Sequence, residues 1–382
     1  MNPFETVFNR RVIYGPGKLD QVPETLSWYG VKKAFITTFD KDTGSFKTLV
    51  AALENVGIDC VVYDEIHGEP DANCINTGRD IFTSQRCDCS IAFGGGSIID
   101  AAKSINMLAV NGGDVEEYQM DGRPVTSEPP LFIAIPTTSG TGAEATKTAV
   151  VYNNTNGLKK SLYHTTMIAD VVVLDPKLTT SLPAAITSAT GMDALSHAIE
   201  SYVSLNASPV TEMYSLAAIK LIVANLERAT KEPDDIEARG AMMLASYFGG
   251  VAITAGIGIA HIMAQPLGGT FKIPHGDACS IFLPTSIQLN RDYARDRYID
   301  VAKAFGIETL DLDSDQIIDA LIERIDELQN AIGAPTNLTP YLPDHVELND
   351  LIDIIKRTTG HITCNPRPLD ENLMREAYKM AL

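Results

Sequence analysis

The chain has 382 residues, of which 45% are hydrophobic, and its 49 acidic against 30 basic side chains give a formal charge of −19. That length supplies two domains and a sizeable core. The acidic balance argues against nucleic acid or an anionic membrane as the main partner, since both attract basic patches.

The first half alternates short β-rich runs with helical patterns. "KKAFITTF" (32–39) reads as a buried strand, followed by a helical stretch to about Gly57, and "DCVVYDEI" (59–66) is the next strand. "NCINTGRDIFTSQ" (73–85) reads as a helix, "CSIAFGG" (89–95) as a strand, "SIIDAAKSINMLAV" (97–110) as a helix and "LFIAIPTT" (131–138) as a strand. Such alternation marks βαβ units on a parallel sheet. "TAVVYN" (148–153) and "VVVLD" (171–175) are expected to extend that sheet as antiparallel strands. After Pro183 the texture changes. "VTEMYSLAAIKLIVANLERAT" and "DSDQIIDALIERIDELQNAI" place apolar residues at three- and four-residue steps, the helical period. The expected organisation is an α/β domain over 1–183 and an all-helical domain over 184–382. The 21 residues between Arg239 and His261 carry no charge, yet they hold Gly240, Gly249, Gly250, Gly256 and Gly258 with Ser246 and Thr254. They read as helices buried in a helical core rather than as a membrane span. The six cysteines, Cys60, Cys74, Cys87, Cys89, Cys279 and Cys364, read as reduced thiols, with Cys279 placed by burial. "MNPFETVFNRR" lacks the apolar core of a signal peptide, so a cytoplasmic location is expected.

Three motifs carry chemistry. In "FGGGSIIDAAK" (93–103) three glycines end a strand and a helix follows at once. Free N–H groups at a helix start suit phosphate, although a tight strand-to-helix turn needs the same glycines. In "IPTTSGTGAEAT" (135–146) hydroxyls and glycines follow another strand, as a polar-ligand loop or as a helix cap at Ser139 or Thr141. Both lie at the carboxyl ends of expected parallel strands, where open α/β sheets bind ligands. In "GMDALSHAIE" Asp193 and His197 stand four residues apart and leave one helix face. With His261 and His275 in the same half they compose a His₃Asp set without a thiolate, suited to Fe²⁺ or Zn²⁺. A carboxylate after the first strand, Asp40 in "TTFDKD", suits a ribose 2′-OH and repels a 2′-phosphate, which favours NAD(H) over NADP(H). Neighbouring Lys41 would instead welcome a phosphate.

These residues together resemble the iron-containing (group III) alcohol dehydrogenase family, in its lactaldehyde reductase and 1,3-propanediol dehydrogenase branch. The resemblance rests on "GGGSIIDAAK", "PTTSGTGAEAT", "DPKLTTSLP", "TGMDALSHAIESYVS", "GIAHIMAQPLGG", "PHGDACSIFLP" and "NPR" (365–367), in order along almost the whole chain. It implies a Rossmann-like N-terminal domain, an all-helical C-terminal domain and an active site in the cleft between them. By resemblance Asp193, His197, His261 and His275 are the metal ligands, and Gly95, Gly96, Ser97 and Asp100 match the pyrophosphate loop. Thr137, Thr138, Thr141, Thr148 and Lys159 match the cofactor side. The implied enzyme is a homodimer or higher homo-oligomer that interconverts a short primary alcohol and its aldehyde with NAD(H), using Fe²⁺ or Zn²⁺. Three positions depart from the branch: Gln265 stands where a second histidine is usual, His361 replaces a cysteine, and Ala169 replaces a proline. Gln265 and His361 are candidates for the substrate pocket, and His361 joins His261 and His275 as a candidate catalytic residue. An imidazole at 361 suits an anionic aldehyde, sulfonated, phosphonated or carboxylated. The glycerol dehydrogenase and dehydroquinate synthase type lacks the Asp-x₃-His pair. A non-catalytic metal- or nucleotide-binding protein is the alternative of another class.

Overall fold

The computed structural model describes residues 3–120, 122–155, 157–343, 346–358 and 363–382. The chain divides into two compact units, one of Val7–Thr138 with Ala143–Thr180, the other of Ser181–Leu382 with Ser139–Gly142 and the first residues.

Apolar runs bounded by turn residues form the strands of the first unit. They are β1 (Arg11–Tyr14), β2 (Lys33–Thr38), β3 (Asp59–Tyr63), β4 (Cys89–Gly94), β5 (Leu131–Pro136), β6 (Thr148–Asn153), β7 (Leu158–Tyr163) and β8 (Val171–Leu174). Between them lie α1 (Val22–Tyr29), α2 (Gly44–Asn55), α3 (Ala72–Ser84), α4 (Gly96–Asn111) and α5 (Val115–Met120). Six strands make one sheet in the order β1-β8-β5-β4-β2-β3, parallel throughout. Every residue of β4 is buried, as expected of a central strand covered on both faces. Ile36, Ile91, Ile133 and Val171 pack in one core on a sheet face.

Two strand assignments need correction. β8 is parallel, wedged between β5 and β1. β6 leaves the main sheet and pairs with β7 as a separate antiparallel hairpin. Its alternating burial is that of a strand with one face covered. β1 and α5 are short elements with no counterpart in the sequence reading.

The second unit is helical: α6 (Ala184–Val203), α7 (Pro209–Lys231), α8 (Ile236–Ala252), α9 (Ile259–Phe271), α10 (His275–Asn290), α11 (Arg295–Ala304), α12 (Ser314–Ile332), α13 (Leu348–Thr358) and α14 (Glu371–Ala381). From Gly191 to Val203 every residue of α6 is buried, so this helix is the axis of the unit. A Cβ on Gly191 would fall 2.1 Å from Leu226 Cδ1, a measure of how closely α7 lies against it. Likewise Gly142 and Gly250 touch backbone to backbone, and a Cβ on Gly250 would meet the Gly142 carbonyl oxygen at 2.2 Å. No single described helix is long and apolar enough to cross a membrane. The uncharged run is split between α8 and α9, which meet at a bend of 106°, and most of its residues are buried.

Candidate metal and cofactor sites

Three helices converge on one carboxylate in the helical unit. Asp193 and His197 leave the same face of α6, His261 stands in the first turn of α9, and His275 is the first residue of α10. Asp193 Oδ1 has His261 Nε2 at 3.4 Å, His275 Nε2 at 3.5 Å and His197 Nε2 at 3.9 Å. Asp193, His197 and His261 are buried, whereas the His275 side chain is 41% exposed. Burial pushes the Asp193 carboxyl up, but the imidazoles of His197, His261 and His275 outweigh it and hold the group well below its usual range. For His197 burial dominates and lowers its pKa to about 4, which leaves a neutral ring at neutral pH.

Glu200 stands one further turn along the same face of α6. Its Oε1 accepts from Ala260 N at 2.6 Å and its Oε2 lies 2.6 Å from His261 Nδ1. A carboxylate accepts, so Nδ1 carries a proton, and Nε2 is the ring nitrogen that remains for a metal. The spacing 193, 197, 200 was the available signal for Glu200, and the sequence reading missed it.

These side chains fit a divalent ion. Asp193 Oδ1 and His261 Nε2 are buried and face one another without a hydrogen-bond partner. Donors about 2.1 Å from a tetrahedral ion stand about 3.4 Å apart, the spacing that Asp193 makes with His261 and His275. Cys279 adds a donor the sequence reading assigned to burial alone. It is fully buried, which pushes its thiol up to about 12, and its Sγ lies 3.6 Å from His275 Nε2. The potential ligand atoms of Asp193, His261, His275 and Cys279 all lie within 4.8 Å of one another.

The "NPR" motif supports this cluster from behind. Asn365 and Asn290 exchange amide hydrogen bonds of 3.0 and 2.9 Å, and Arg367 N donates to Asn290 Oδ1 at 3.1 Å. A Cβ on Gly258, just before α9, would stand 2.9 Å from both Asn365 Oδ1 and Glu200 Oε1. Gln265 is half-buried on α9, one turn after His261. His361 lies outside the described residues.

In the α/β unit the β4–β5 register places the two glycine-bearing loops side by side. Gly94 pairs with Pro136, and Thr137 N donates to Gly94 O at 3.0 Å. Gly95 is the N-cap of α4, so the free N–H groups of its first turn come from Gly96 and Ser97 onward. A Cβ on Gly95 would fall 3.2 Å from Thr138 Cγ2. Asp100 is turned to the hairpin: its Oδ2 accepts from Val150 N at 3.0 Å, and buried Lys103 stands 3.7 Å from Oδ1. Lys103 Nζ also donates to the Thr148 carbonyl at 2.7 Å. Lys159 on β7 pairs with Glu69. Thr141 belongs to the segment Ser139–Gly142 that groups with the helical unit. Asp40 is exposed beyond β2 and accepts from Asp42 N at 2.8 Å, while Lys41 pairs with Asp64 at 2.8 Å. Ala169 is buried, and its carbonyl accepts from Asn9 at 2.7 Å.

Comparison with known proteins agrees over both units. The pattern of the family "Iron-containing alcohol dehydrogenase" matches residues 9–176, and that of "Fe-containing alcohol dehydrogenase family, C-terminal" matches 187–382. The NAD-dependent methanol dehydrogenase of Bacillus methanolicus is 32% identical over 377 residues, 97% of each chain. A crystal structure of 1,3-propanediol oxidoreductase superposes with a TM-score of 0.94 at 30% identity and covers 100% of both chains. The sulfoacetaldehyde reductase of Bifidobacterium kashiwanohense, solved in complex with NAD+, superposes with a TM-score of 0.90 at 27% identity, covering 100% of this chain and 99% of that one. The chain belongs to the iron-containing alcohol dehydrogenase family, and its activity is that of an oxidoreductase.

Proposed function

We propose that this chain is a metal-dependent, NAD(H)-linked alcohol dehydrogenase or aldehyde reductase for a short primary alcohol or its aldehyde. Asp193, His197, His261 and His275 are the proposed ligands of Fe²⁺, with Zn²⁺ as the alternative ion. The observation that carries this reading is a pair of buried atoms without a hydrogen bond, Asp193 Oδ1 and His261 Nε2, that face each other at 3.4 Å. Such atoms are costly unless something between them is bound.

When bound, the ion supplies Lewis acidity at the substrate oxygen, and the nicotinamide carries the hydride. The chain supplies the rest. Asp193 provides the negative charge that balances the ion, and neutral His197 offers a lone pair. Glu200 holds His261 in the tautomer whose Nε2 is free to coordinate. Partly exposed His275 marks the side from which substrate approaches, and Gln265 presents an amide one turn beyond His261. The first turn of α4, with Thr137 and Thr138, receives the cofactor phosphates. Asp100 and Lys103 hold the β6–β7 hairpin against α4 and thereby position Thr148 and Lys159.

Glu200 offers a direct check. Glu200→Leu should weaken metal binding about 10- to 100-fold in a chelator competition, while Glu200→Gln, which keeps an acceptor, loses less. Equal affinity in Glu200→Leu and wild type would remove this role.

The function is tested with anaerobic, Fe²⁺-loaded enzyme and a panel of short aldehydes, followed by nicotinamide absorbance. Turnover that disappears on chelation supports the reading, and no turnover with any aldehyde rejects it. In the same assay NADH should exceed NADPH about tenfold in catalytic efficiency, because Asp40 repels a 2′-phosphate and Asp64 neutralises Lys41. A tenfold preference for NADPH would reverse the assignment. An anionic aldehyde is the second substrate reading, supported by the likeness to sulfoacetaldehyde reductase. A cytoplasmic homodimer is the setting we propose, supported by the family resemblance and by six cysteines without a disulfide.

A further inference from the structure

We propose that Phe39 is the platform on which the adenine ring of the dinucleotide stacks, so that this chain holds the base of its cofactor by an aromatic face and not by hydrogen bonds. This inference rests on the cofactor reading given under the proposed function. In the sheet, β2 lies beside β4 on the side away from β5. Thr38 pairs with Phe93, so the next residue, Phe39, stands level with Gly94, where the glycine loop begins. Neighbouring strands lie about 4.8 Å apart. The Phe39 backbone is therefore one strand from the phosphate-binding turn, at the carboxyl end of the sheet, where open α/β folds take their ligands. Thr137 flanks the same turn from β5, donating to the Gly94 carbonyl. A dinucleotide with its phosphates on the first turn of α4 and its nicotinamide half toward β5 extends its adenosine over β2.

Phe39 is built to receive that base. Its side chain is 62% exposed, yet the backbone on either side of it is fixed. Before it, Thr37 pairs with Tyr63 of β3 and Thr38 with Phe93 of β4. After it, Asp40 Oδ1 accepts from Asp42 N at 2.8 Å, and the Thr43 side chain caps α2. The charged groups that follow are engaged with one another: Lys41 with Asp64 at 2.8 Å, and Lys47 with Asp42 at 2.8 Å. Every base offers a π face, and a stack on an aromatic side chain tolerates changes along the base's hydrogen-bonding edge. Phe39 would thus secure the adenosine half while leaving the identity of the purine loosely read.

Fluorescence titration of the full-length protein with NADH, and with ADP-ribose as competitor, reads this without turnover. Phe39→Ala should weaken both ligands about fivefold or more, as loss of one base–aromatic stack does. Phe39→Tyr should stay within about twofold of wild type, because it keeps the ring. Phe39→Leu keeps apolar bulk without a π face, and it should lose nearly as much as Phe39→Ala. The reduced hypoxanthine analogue of NADH inverts the donor and acceptor on the base edge. It should bind the wild type within about threefold of NADH. Unchanged NADH affinity in Phe39→Ala overturns the inference and leaves the cofactor site standing. Full affinity in Phe39→Leu assigns Phe39 a packing role and overturns it equally. A hypoxanthine penalty larger than that of Phe39→Ala makes hydrogen bonds the reader of the base, which also overturns it. Wild-type protein that binds neither NADH nor ADP-ribose overturns the cofactor reading and this inference together.

Discussion

His261→Ala should lower turnover by at least about a thousandfold, equivalent to about 4 kcal/mol of transition-state stabilisation. The residue joins two halves of the site. Its Nε2 faces Asp193 at 3.4 Å, and its Nδ1 is held by Glu200 at 2.6 Å. Removing the ring deletes a ligand and leaves two buried carboxylates closer to uncompensated. Asp193→Ala should be as damaging, because it removes the charge on which three imidazoles converge. Metal content after dialysis separates lost coordination from lost folding, and circular dichroism should stay close to wild type. Full activity in a metal-depleted His261→Ala enzyme would end the assignment.

The second large effect comes from a residue with no side chain. Gly276 opens α10 beside His275, and a Cβ there would fall 2.1 Å from the carbonyl oxygen of Ala189. Ala189 lies one turn before Asp193 on α6. Gly276→Ala therefore forces the start of α10 away from the helix that carries the carboxylate. Overpacking of this kind costs about 1–3 kcal/mol, and a displacement of about 1 Å at a reacting centre costs about a hundredfold in rate. Activity should fall at least that far, together with metal affinity. Gly306→Ala is the control, since its added Cβ meets nothing within 4 Å at a φ of +80°. It should cost only the left-handed strain of about 1–2 kcal/mol and leave metal content unchanged. Equal metal loss in both variants would show that general destabilisation, not the approach of α10 to α6, is responsible.

How far the sequence could be read depended on whether a signal was local. β2, β4 and β5 were legible because a central parallel strand is a short apolar run between turns. Partner choice was not legible: the alternation of "TAVVYN" marks a half-covered strand and is silent about which strand it meets, so the β6–β7 hairpin and the wedged β8 emerged only in three dimensions. β1 is four residues long with one buried position, too little for a periodic signal. At the site Asp193 and His197 were tied by helical spacing, whereas His261 and His275 needed the fold to bring α9 and α10 to α6. Glu200 was masked because a glutamate on a helix ordinarily reads as a solvated face. Cys279 was read as a core residue, which it also is. Asp100 was matched to the phosphate loop by its motif, yet its carboxylate caps Val150 on the hairpin.

The segment Ser139–Gly142 carries a consequence for dissecting the protein. The backbone passes from one unit to the other at residues 6/7, 138/139, 142/143 and 180/181. No single cut therefore yields two self-sufficient halves. A fragment ending at 180 would carry a four-residue loop whose glycine contacts, at Thr190 and Gly250, had been left on the other piece. The approach of Gly142 to Gly250 is backbone to backbone, so no side-chain redesign of the fragment can replace it. Halves expressed separately would have to find one another in solution before that loop was seated, which makes fragment complementation a bimolecular step on the route to the native chain.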